Sequence, residues 1–527
     1  MKLALLLVLA AFSAQCSEVR IAADFRGDVP PRRAMRDIKF PCDLSNAAGL
    51  SFDFRIDSLS EFSMFTFHFK CDGKWVGAKF PALKEGGWHR VVVERPRTKD
   101  DRKDWSKVTA FRVSGWRGGT NHTYLTVRNI AVEPLVPKRK PSETELELLR
   151  ATVADTNRTA LAQLAATPPP EGERRLIWAH HPTGIRGKGW EYSVKTLKKG
   201  GFTDLIANLA RGSRAAYKSE VLGVASTAEG RDRLDECLAA CRRHGVKLHV
   251  WNCCWRTGWG TTKEELAKLA SEGRLIKSEY EGGKEWLCPT HPVNRKMLVD
   301  SMVELAKKGV DGVHFDYIRY PDGSYCFCDG CRARFEEKIG RKLTDWPKAL
   351  NSDRMLQRQW REFRRDAITA PVREVAELLH REYPSVEVSA AVFTDPLADW
   401  DWMGQDWAFW CEKGFLDFVC PMTYENDLES FARKQRKHMA QVTSKVPRYP
   451  GIGLGVWPKD GLDVARFSEQ VTFLRKFGMK GFSVFELSPR FDRIADTVGS
   501  ALTKGGRLHE VSYLLIGAWS LIGGELL

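Results

Sequence analysis

The chain has 527 residues, of which 43% are hydrophobic and 11% aromatic, so it is long enough for several domains and too apolar to be intrinsically disordered. The formal net charge is +15, spread along the chain without a dense Lys/Arg block. We interpret this charge as a solvated basic surface and predict no nucleic-acid partner. At most, the charge favours acidic glycans through long-range attraction.

The first sixteen residues predict export. One Lys is followed by an apolar run from Leu3 to Phe12 and then by small residues ending at Cys16, which is the order found in a secretory signal peptide. We therefore predict a signal peptide over 1–16 and a secreted or periplasmic protein. Gln15 is an unfavourable neighbour for a lipoprotein anchor on Cys16, so cleavage without an anchor is favoured. Because export removes most nucleic acids from reach, it also strengthens the interpretation of the charge.

Residues 18–136 predict a β-sandwich. Runs such as "LSFDFRID" and "FTFHFKCD" alternate with a period of two and are separated by turn residues. The stretches "GGWHRVVVERP" and "LTVRNIAVEP" resemble the late strands of jelly-roll, galactose-binding-like modules that accompany secreted carbohydrate enzymes, so this domain is a candidate carbohydrate-binding module. Its tryptophans Trp75, Trp105 and Trp116 either stack on sugars or belong to the core, and the core is favoured.

Residues 137–172 combine charge and helix formers and end in three prolines, which predicts a helical linker. From there, short apolar strands alternate with amphipathic helices. Eight such units over 173–505 predict a (β/α)8 TIM barrel of the α/β class. A doubly wound open sheet is the alternative, disfavoured because no Gly-rich phosphate turn follows the first strand. The apolar segment 506–527 is too short to span a bilayer, so we predict no membrane span and expect it to pack on the barrel.

The fourth predicted strand ends in a cluster of polar and aromatic residues, "GVHFDYIRYP". Side chains alternate along a strand, so Val313 and Phe315 should face the helices, whereas His314 and Asp316 face the lumen. In a TIM barrel the active site lies where the strands end. Asp316 beside Tyr317 and Arg319 therefore predicts a sugar-binding mouth. The alternative is that Asp316 only caps a loop through an ion pair with Arg319.

Other predicted strand ends carry polar groups of the same kind. Carboxylates interleaved with Trp, Tyr, Asn and His suit a pocket that cleaves glycosidic bonds with one ionised and one protonated acid. These strand-end residues are His180, His181, Trp251, Asn252, Asp395, Tyr424, Glu425, Asn426 and Glu486.

Three segments carry a family resemblance. "DGVHFDYIRYP", "QDWAFWCEKGFLDFVCPMTY" and "KGFSVFE" resemble the family 10-like glycosyl hydrolases, secreted bacterial barrel proteins of which some are implicated in cleaving cell-wall glycans. The resemblance covers about residues 175–500 and implies a glycosidase with Asp316 at the acidic position of the motif. The chain departs from the commoner doubled Asp by having Tyr317, and it adds a "CFCDGC" insert. These departures affect the substrate more than the fold.

We predict a secreted glycoside hydrolase acting on a polysaccharide or cell-wall glycan. Asp316 is the predicted nucleophile or base, and Glu425 is the first choice of general acid, with Asp395 and Glu486 close behind. No cofactor and no catalytic metal are predicted. The residues predicted to bind substrate are His180, Trp251, Asn252, His314, Tyr317, Arg319 and Tyr424.

Two other classes stay open at this point. A metal-dependent hydrolase or deacetylase would draw its ligands from His180, His181, His249, His314 and Asp316. It is disfavoured because His180 and His181 point in opposite directions along a strand. A catalytically inactive barrel that only binds glycans is the other possibility.

The cysteines leave several pairings open. Cys326, Cys328 and Cys331 of "CFCDGC", with Cys288 as a fourth, form either two local disulfides, a metal site or free thiols. Disulfides are favoured because the chain is exported. Cys42 and Cys71 are candidates for a further bridge, and Cys237 and Cys241 share a helical face that is either core or bonded.

Overall fold

The computed structural model of the chain describes residues 18–27, 30–80, 86–96, 104–135, 141–225, 228, 230–258, 260–278 and 283–503. The predicted signal peptide with Cys16 and the apolar C-terminal segment lie outside the described residues. The chain divides into two compact units, Met1–Lys140 and Pro141–Leu527. None of the helices in the described ranges combines the length and the apolarity that crossing a bilayer requires.

The first unit contains two antiparallel four-stranded sheets, with strand orders β1-β8-β3-β6 and β2-β7-β4-β5. The strands are β1 Val19–Asp24, β2 Arg33–Cys42, β3 Ala47–Ile56, β4 Phe62–Cys71, β5 Lys74–Ala78, β6 His89–Glu94, β7 Val108–Arg117 and β8 His122–Pro134. Phe52 of one sheet stacks on Phe67 and Phe111 of the other, at ring-centroid distances of 5.7 and 5.9 Å. The two sheets therefore face each other across an aromatic core, as a sandwich does.

Trp105 belongs to this core, with 4% of its surface exposed. Trp75 and Trp116 are only half-buried, and each lies beneath an arginine guanidinium.

Cys42 and Cys71 are not bonded to each other. They lie on β2 and β4, which flank β7 and pair with it at the same residue, Val108. Two strand spacings separate them, about 9–10 Å, which is too far for a disulfide, so the predicted bridge between them is wrong.

The second unit is a barrel of eight parallel strands with helices around it. The barrel strands, in chain order, are β9 Arg174–Ala179, β10 Asp204–Arg211, β13 Lys247–Cys253, β16 Gly312–Asp316, β17 Glu387–Val392, β18 Phe418–Pro421, β19 Gly451–Ile452 and β20 Gly481–Phe485. Consecutive barrel strands pair from β9 to β18 and from β19 to β20, and β20 pairs with β9. An isolated bridge from Val419 of β18 to Arg448, which precedes β19, closes the ring. The predicted TIM barrel is confirmed, and an open doubly wound sheet is excluded.

Four short strands lie outside the barrel: β11 Arg214–Ala215, β12 Gly223–Val224, β14 Leu275–Lys277 and β15 Gly283–Leu287. The helices of the second unit are α1 Glu143–Ala165, α2 Gly189–Lys199, α3 Arg233–His244, α4 Lys263–Ser271, α5 Pro292–Lys307, α6 Asp329–Ile339, α7 Ala349–Ser352, α8 Arg354–Glu382, α9 Pro396–Met403, α10 Trp407–Glu412, α11 Leu428–Gln441, α12 Asp463–Lys476 and α13 Pro489–Thr503.

Helix α1 begins at a capping box, in which Ser142 and Glu145 each satisfy the other's backbone N–H. Its Asn157 donates to the carbonyl of Gly461 (2.8 Å) and accepts from the backbone N–H of Ala465 (2.9 Å). Within the region predicted as a linker, α1 is therefore anchored to the start of α12 and belongs to the barrel unit.

The lumen is filled by alternate residues of several strands. Trp178, Ile206, Trp251 and Phe418 form one buried cluster there, whereas Val313 and Phe315 belong to the layer between strands and helices, as predicted. The packed lumen leaves the strand ends as the place where a ligand meets the barrel.

Candidate active site

Asp316 ends the fourth barrel strand, with 7% of its surface exposed. The backbone N–H of Tyr317 donates to its Oδ1 (2.6 Å) because Tyr317 adopts a left-handed conformation with φ of +52°. Burial raises the pKa of Asp316 to about 6, although this N–H and the charges of Arg319 and Arg211 oppose the rise. Asp316 is thus a desolvated carboxyl group that still ionises near neutral pH.

Glu486 directly follows the eighth barrel strand, β20. Burial raises its pKa to about 7, and the backbone N–H of His180 on the neighbouring first strand hydrogen-bonds to the carboxyl group and opposes the rise. In a closed barrel of eight strands, the fourth and eighth lie on opposite sides. The strands that carry Asp316 and precede Glu486 therefore lie on opposite sides of the mouth.

Tyr424 lies beside both carboxyl groups. Burial raises the pKa of its hydroxyl, and the charges of Asp316 and Glu486 raise it further.

Glycines of the "GIGLG" stretch leave space for the side chains of Tyr424 and Glu486. A Cβ on Gly453 would lie 2.7 Å from the Cβ of Tyr424, and a Cβ on Gly455 would lie 3.1 Å from the Cγ of Glu486. The seventh strand contributes no acid and instead makes room for the groups of its neighbours.

The opposite wall comes from the first three strands. His180 reaches the surface, while its ring contacts Trp251 at a centroid distance of 5.7 Å and its Nε2 lies 3.3 Å from Nη2 of Arg211. Desolvation of the imidazole by these neighbours and the nearby Arg211 charge lower the pKa of His180. Arg211 is not among the site residues predicted from the sequence. The observed β10 continues to Arg211.

His314 lies deeper in the lumen and is fully buried. Its Nε2 accepts from the indole Nε1 of Trp178 (3.3 Å), so Nδ1 carries the proton and donates to Oγ of Ser389 (2.9 Å). Burial lowers its pKa well below the ordinary value. His314 is thus a neutral support beneath Asp316, and the prediction that it contacts substrate is not supported.

Arg319 does not form the ion pair that the structural alternative for Asp316 required. Both residues belong to the described part of the chain, and the Arg319 guanidinium donates to the carbonyl of Tyr320 (3.0 Å) and covers the ring of Phe393 at 4.4 Å. It also lies 5.2 Å from the ring centre of Tyr317. Arg319 therefore acts on Asp316 through its field and holds the aromatic rim.

Asn252 lies outside the lumen. Its Nδ2 donates to Oγ of Ser301 on α5 (3.2 Å), whereas its neighbours Trp251 and Cys253 belong to the lumen cluster. Strand alternation forces this outcome, since adjacent residues cannot face the same side. The prediction that Asn252 binds substrate is wrong.

Two predicted acids are held by ion pairs. Glu425 lies 2.5 Å from Nζ of Lys434 on α11. Asp395 accepts the backbone N–H of Ala398 at the start of α9 and pairs with Lys437 at 2.6 Å. Each of these two carboxylates is therefore held in place by a lysine of α11.

The histidines and the acid considered for a metal-dependent hydrolase are not brought together among the described residues. His249 lies at the other end of the barrel, 3.2 Å from Oδ1 of Asp204 and 3.7 Å from Oε2 of Glu387. These three groups offer metal-ligand atoms, but the guanidinium of Arg174 already contacts both carboxylates. This cluster is an ion-pair network at the base of the barrel.

Comparison with known proteins gives a family. A family model described as glycosyl hydrolase-like 10 matches residues 194–459, half of the chain. The match includes Asp316 and Tyr424 and ends before Glu486. An S-layer-related protein of Niallia circulans is 24% identical over 271 residues, which are 42% of this chain and 17% of that relative. The chain thus spans a small part of the relative.

Solved structures give weaker likenesses. A β-galactosidase from Bacillus circulans sp. alkalophilus is 16% identical with a TM-score of 0.46, over 66% of this chain and 56% of the other. An α-L-fucosidase from Paenibacillus thiaminolyticus is 13% identical with a TM-score of 0.41, over 66% and 49%. The glycoside hydrolase domain of PelA from Pseudomonas aeruginosa is 13% identical with a TM-score of 0.34, over 61% and 96%.

Proposed function

Because the chain belongs to the glycosyl hydrolase-like 10 family, we propose that it is an exported glycoside hydrolase that cleaves O-glycosidic bonds with Asp316 and Glu486. The substrate class is a poly- or oligosaccharide outside the cell, such as a cell-wall glycan. The apolar N-terminal run supports export, and the S-layer-related name of the Niallia relative agrees with a setting at the cell surface.

The observation that carries this proposal is a pair of desolvated carboxyl groups on opposite strands at one end of the barrel. Burial also raises the pKa of Asp399, Asp406 and Glu469. Those three lie within or at the start of helices α9, α10 and α12. Among the described acids with raised pKa, only Asp316 and Glu486 lie at the ends of barrel strands, where TIM-barrel enzymes place their chemistry.

The two pKa values divide the roles. Glu486, with a pKa of about 7, is about half protonated at neutral pH, and its protonated form can donate to the glycosidic oxygen as the C–O bond breaks. Asp316, with a pKa of about 6, is mostly ionised at the same pH. Its carboxylate stabilises the positive charge that develops at the anomeric carbon, as nucleophile or base. We therefore propose Glu486 as the general acid in place of Glu425, the first choice from sequence.

The surrounding side chains suit a sugar. Tyr317 offers a ring face and edge for stacking, while Arg211 and the Tyr424 hydroxyl offer donors for sugar hydroxyls. Trp286 extends the aromatic rim, with its ring centroid 5.5 Å from that of Tyr317. Aromatic surface next to fixed polar groups is what a pocket needs to orient a ring against two acids.

The test is turnover of Asp316→Asn, Glu486→Gln and the matched control Glu425→Gln. Reducing-end release would be measured on a panel of soluble polysaccharides and purified cell-wall glycan. The first two variants should lose at least ~10³-fold in turnover, whereas the control should stay within ~10-fold. Azide should rescue Asp316→Asn if this residue is the nucleophile, and substrates with good leaving groups should rescue Glu486→Gln.

Three outcomes would contradict the proposal. A loss in Glu425→Gln equal to that in Glu486→Gln would return the acid role to Glu425. Near-normal turnover of Asp316→Asn would remove Asp316 from the chemistry. A wild-type protein that binds glycans of the panel but releases no sugar from any of them would be the inactive glycan-binding barrel.

A further inference from the structure

Four cysteines from two distant segments meet behind the candidate active site. Cys288 follows β15, whereas Cys326, Cys328 and Cys331 lie in the loop after β16 and at the start of α6. All four are buried, with at most 8% of the residue exposed. Their sulfur atoms all lie within 4.8 Å of one another. We call them the four-cysteine cluster.

The sulfur spacings distinguish a metal cage from disulfides. The Cys288 sulfur lies 3.5 Å from that of Cys331 and 3.9 Å from that of Cys328. A disulfide needs about 2.05 Å between bonded sulfurs. A tetrahedral zinc site with Zn–S bonds of about 2.3 Å places its sulfurs about 3.8 Å apart. The observed spacings match the zinc cage, and all four cysteines are free in the structure.

The surroundings provide hydrogen-bond donors to sulfur. Backbone N–H groups of Lys277 and Cys331 each donate to a cluster sulfur at 3.4 Å, to Cys326 and Cys328 respectively. Such donors orient thiolate ligands and offset their charge. Cys328 is also the N-cap of α6, where the helix dipole favours a thiolate.

An arginine reaches the cluster through a hydroxyl. Thr290 Oγ1 lies 3.2 Å from the sulfur of Cys288 and 3.1 Å from that of Cys331, and it accepts from the guanidinium of Arg334 at 2.8 Å. Four thiolates around one Zn²⁺ carry a net charge of −2, which this arginine and the N–H groups offset.

We propose that the four-cysteine cluster binds one structural Zn²⁺ in a tetrahedral tetrathiolate site. Binding replaces the remaining thiol protons, which leave to solvent, and changes no oxidation state. Four protein ligands fill the coordination sphere, so the ion is closed to substrate and structural in role. The proposal does not depend on the glycosidase activity, because a barrel without turnover would bind the ion equally.

The site would fix two parts of the active-site rim to each other. Trp286 lies two residues before Cys288, and Tyr317 lies on the other tethered segment, between Asp316 and Cys326. Their rings are in contact. Tyr320 of the same loop is fully buried, and its pKa is raised by burial and by the nearby sulfurs of Cys331 and Cys288. Zinc would therefore hold the aromatic rim next to Asp316 and keep the four thiols from oxidation in an exported protein.

The experiment is metal analysis of the full-length wild-type protein, purified without added metal or chelator. Inductively coupled plasma mass spectrometry should find one zinc per chain. Thiol titration of the native protein should leave the four cluster sulfurs unreactive until a mercurial releases the zinc to a colorimetric indicator. Cobalt exchanged into the site should give the intense visible bands of a tetrahedral tetrathiolate complex.

Variants separate the cluster from other buried thiols. Cys328→Ser and Cys331→Ser should lower the zinc content at least ~10-fold, whereas the control Cys411→Ser, buried on α10 away from the cluster, should keep one zinc. If the cluster variants do not fold, the wild-type measurements decide alone. Zinc-free native protein, disulfides among the four cysteines in unreduced peptides, or stoichiometric iron would each overturn the proposal.

Discussion

Replacing Asp316 with Asn should stabilise the protein at alkaline pH while it abolishes turnover. The folded barrel buries a carboxyl group whose ionised form is poorly solvated, so ionisation of Asp316 costs stability. Asn has the same shape, carries no charge at any pH, and can still accept the Tyr317 N–H. The variant therefore keeps the local hydrogen bond and removes the desolvation cost.

The size of the effect follows from the two pKa values. The folded pKa of about 6 lies above the ordinary 3.8. The folded state thus holds a proton that the unfolded state has released, and stability falls as pH rises between these values. Complete ionisation of Asp316 lowers the free energy of unfolding by about 3 kcal/mol. This destabilisation is absent below about pH 4 and complete above about pH 7. The free energy of unfolding of the variant should therefore exceed that of the wild type by up to about 3 kcal/mol at pH 8 and by almost nothing near pH 4.

Urea unfolding followed by tryptophan fluorescence at pH 4.5, 6 and 8 measures this difference. The matched control is Asp395→Asn, in which Lys437 loses a buried ionic partner. That variant should lose about 1–3 kcal/mol at pH 8, the opposite sign. If Asp316→Asn is less stable than wild type at pH 8, or if its stability gain does not grow with pH, Asp316 is not a desolvated carboxylate and the site assignment loses its physical basis.

Three further outcomes are expected. The pH profile of kcat/KM should rise through about pH 6 and fall above about pH 7, and the alkaline limb should vanish in Glu486→Gln assayed with an activated substrate. A barrel fragment starting at residue 141 should fold, whereas one starting at 172 should show a lower thermal midpoint because it lacks α1 and its buried leucines. Gly453→Ala should lower turnover at least ~10-fold with little change in circular dichroism, because its Cβ displaces Tyr424.

The barrel itself could be predicted because its strands are buried on both faces. Runs such as "RLIWA" and "VSAAV" therefore appear as short unbroken apolar segments between amphipathic helices. The bounds of the later strands could not be predicted as well. "FLDFVCPMTY" is apolar except at Asp417 and Thr423, yet β18 covers only Phe418–Pro421. Beyond Pro421 the chain leaves the ladder, so strand alternation no longer tells where a side chain points.

This loss of alternation past the strand ends explains why some side chains of the candidate site could be placed from the sequence and others could not. Asp316 lies within β16 and could be placed in the lumen by counting residues. Glu425 lies past the end of its strand, so its pairing with Lys434 required the fold. Alternation could already have excluded Asn252, once Trp251 was placed in the lumen. Asp316 and Glu486 lie far apart in the chain, and so do Cys288 and Cys326, so the placement of the first pair at one end of the barrel and of the second in one cluster required the fold.

The barrel closes least firmly beside the candidate site. Between β18 and the seventh strand, the bridge of Val419 with Arg448 is made by two hydrogen bonds, from Val419 N to the carbonyl of Pro447 (3.0 Å) and from Tyr449 N to the carbonyl of Val419 (2.9 Å). Hydrogen–deuterium exchange should therefore be faster at these amides than in the interior of β13 or β16. Tyr424 borders this seam, whereas Asp316 lies on the firmly paired half. Opening of this seam would therefore widen the mouth on the Tyr424 side and leave the Asp316 side unchanged.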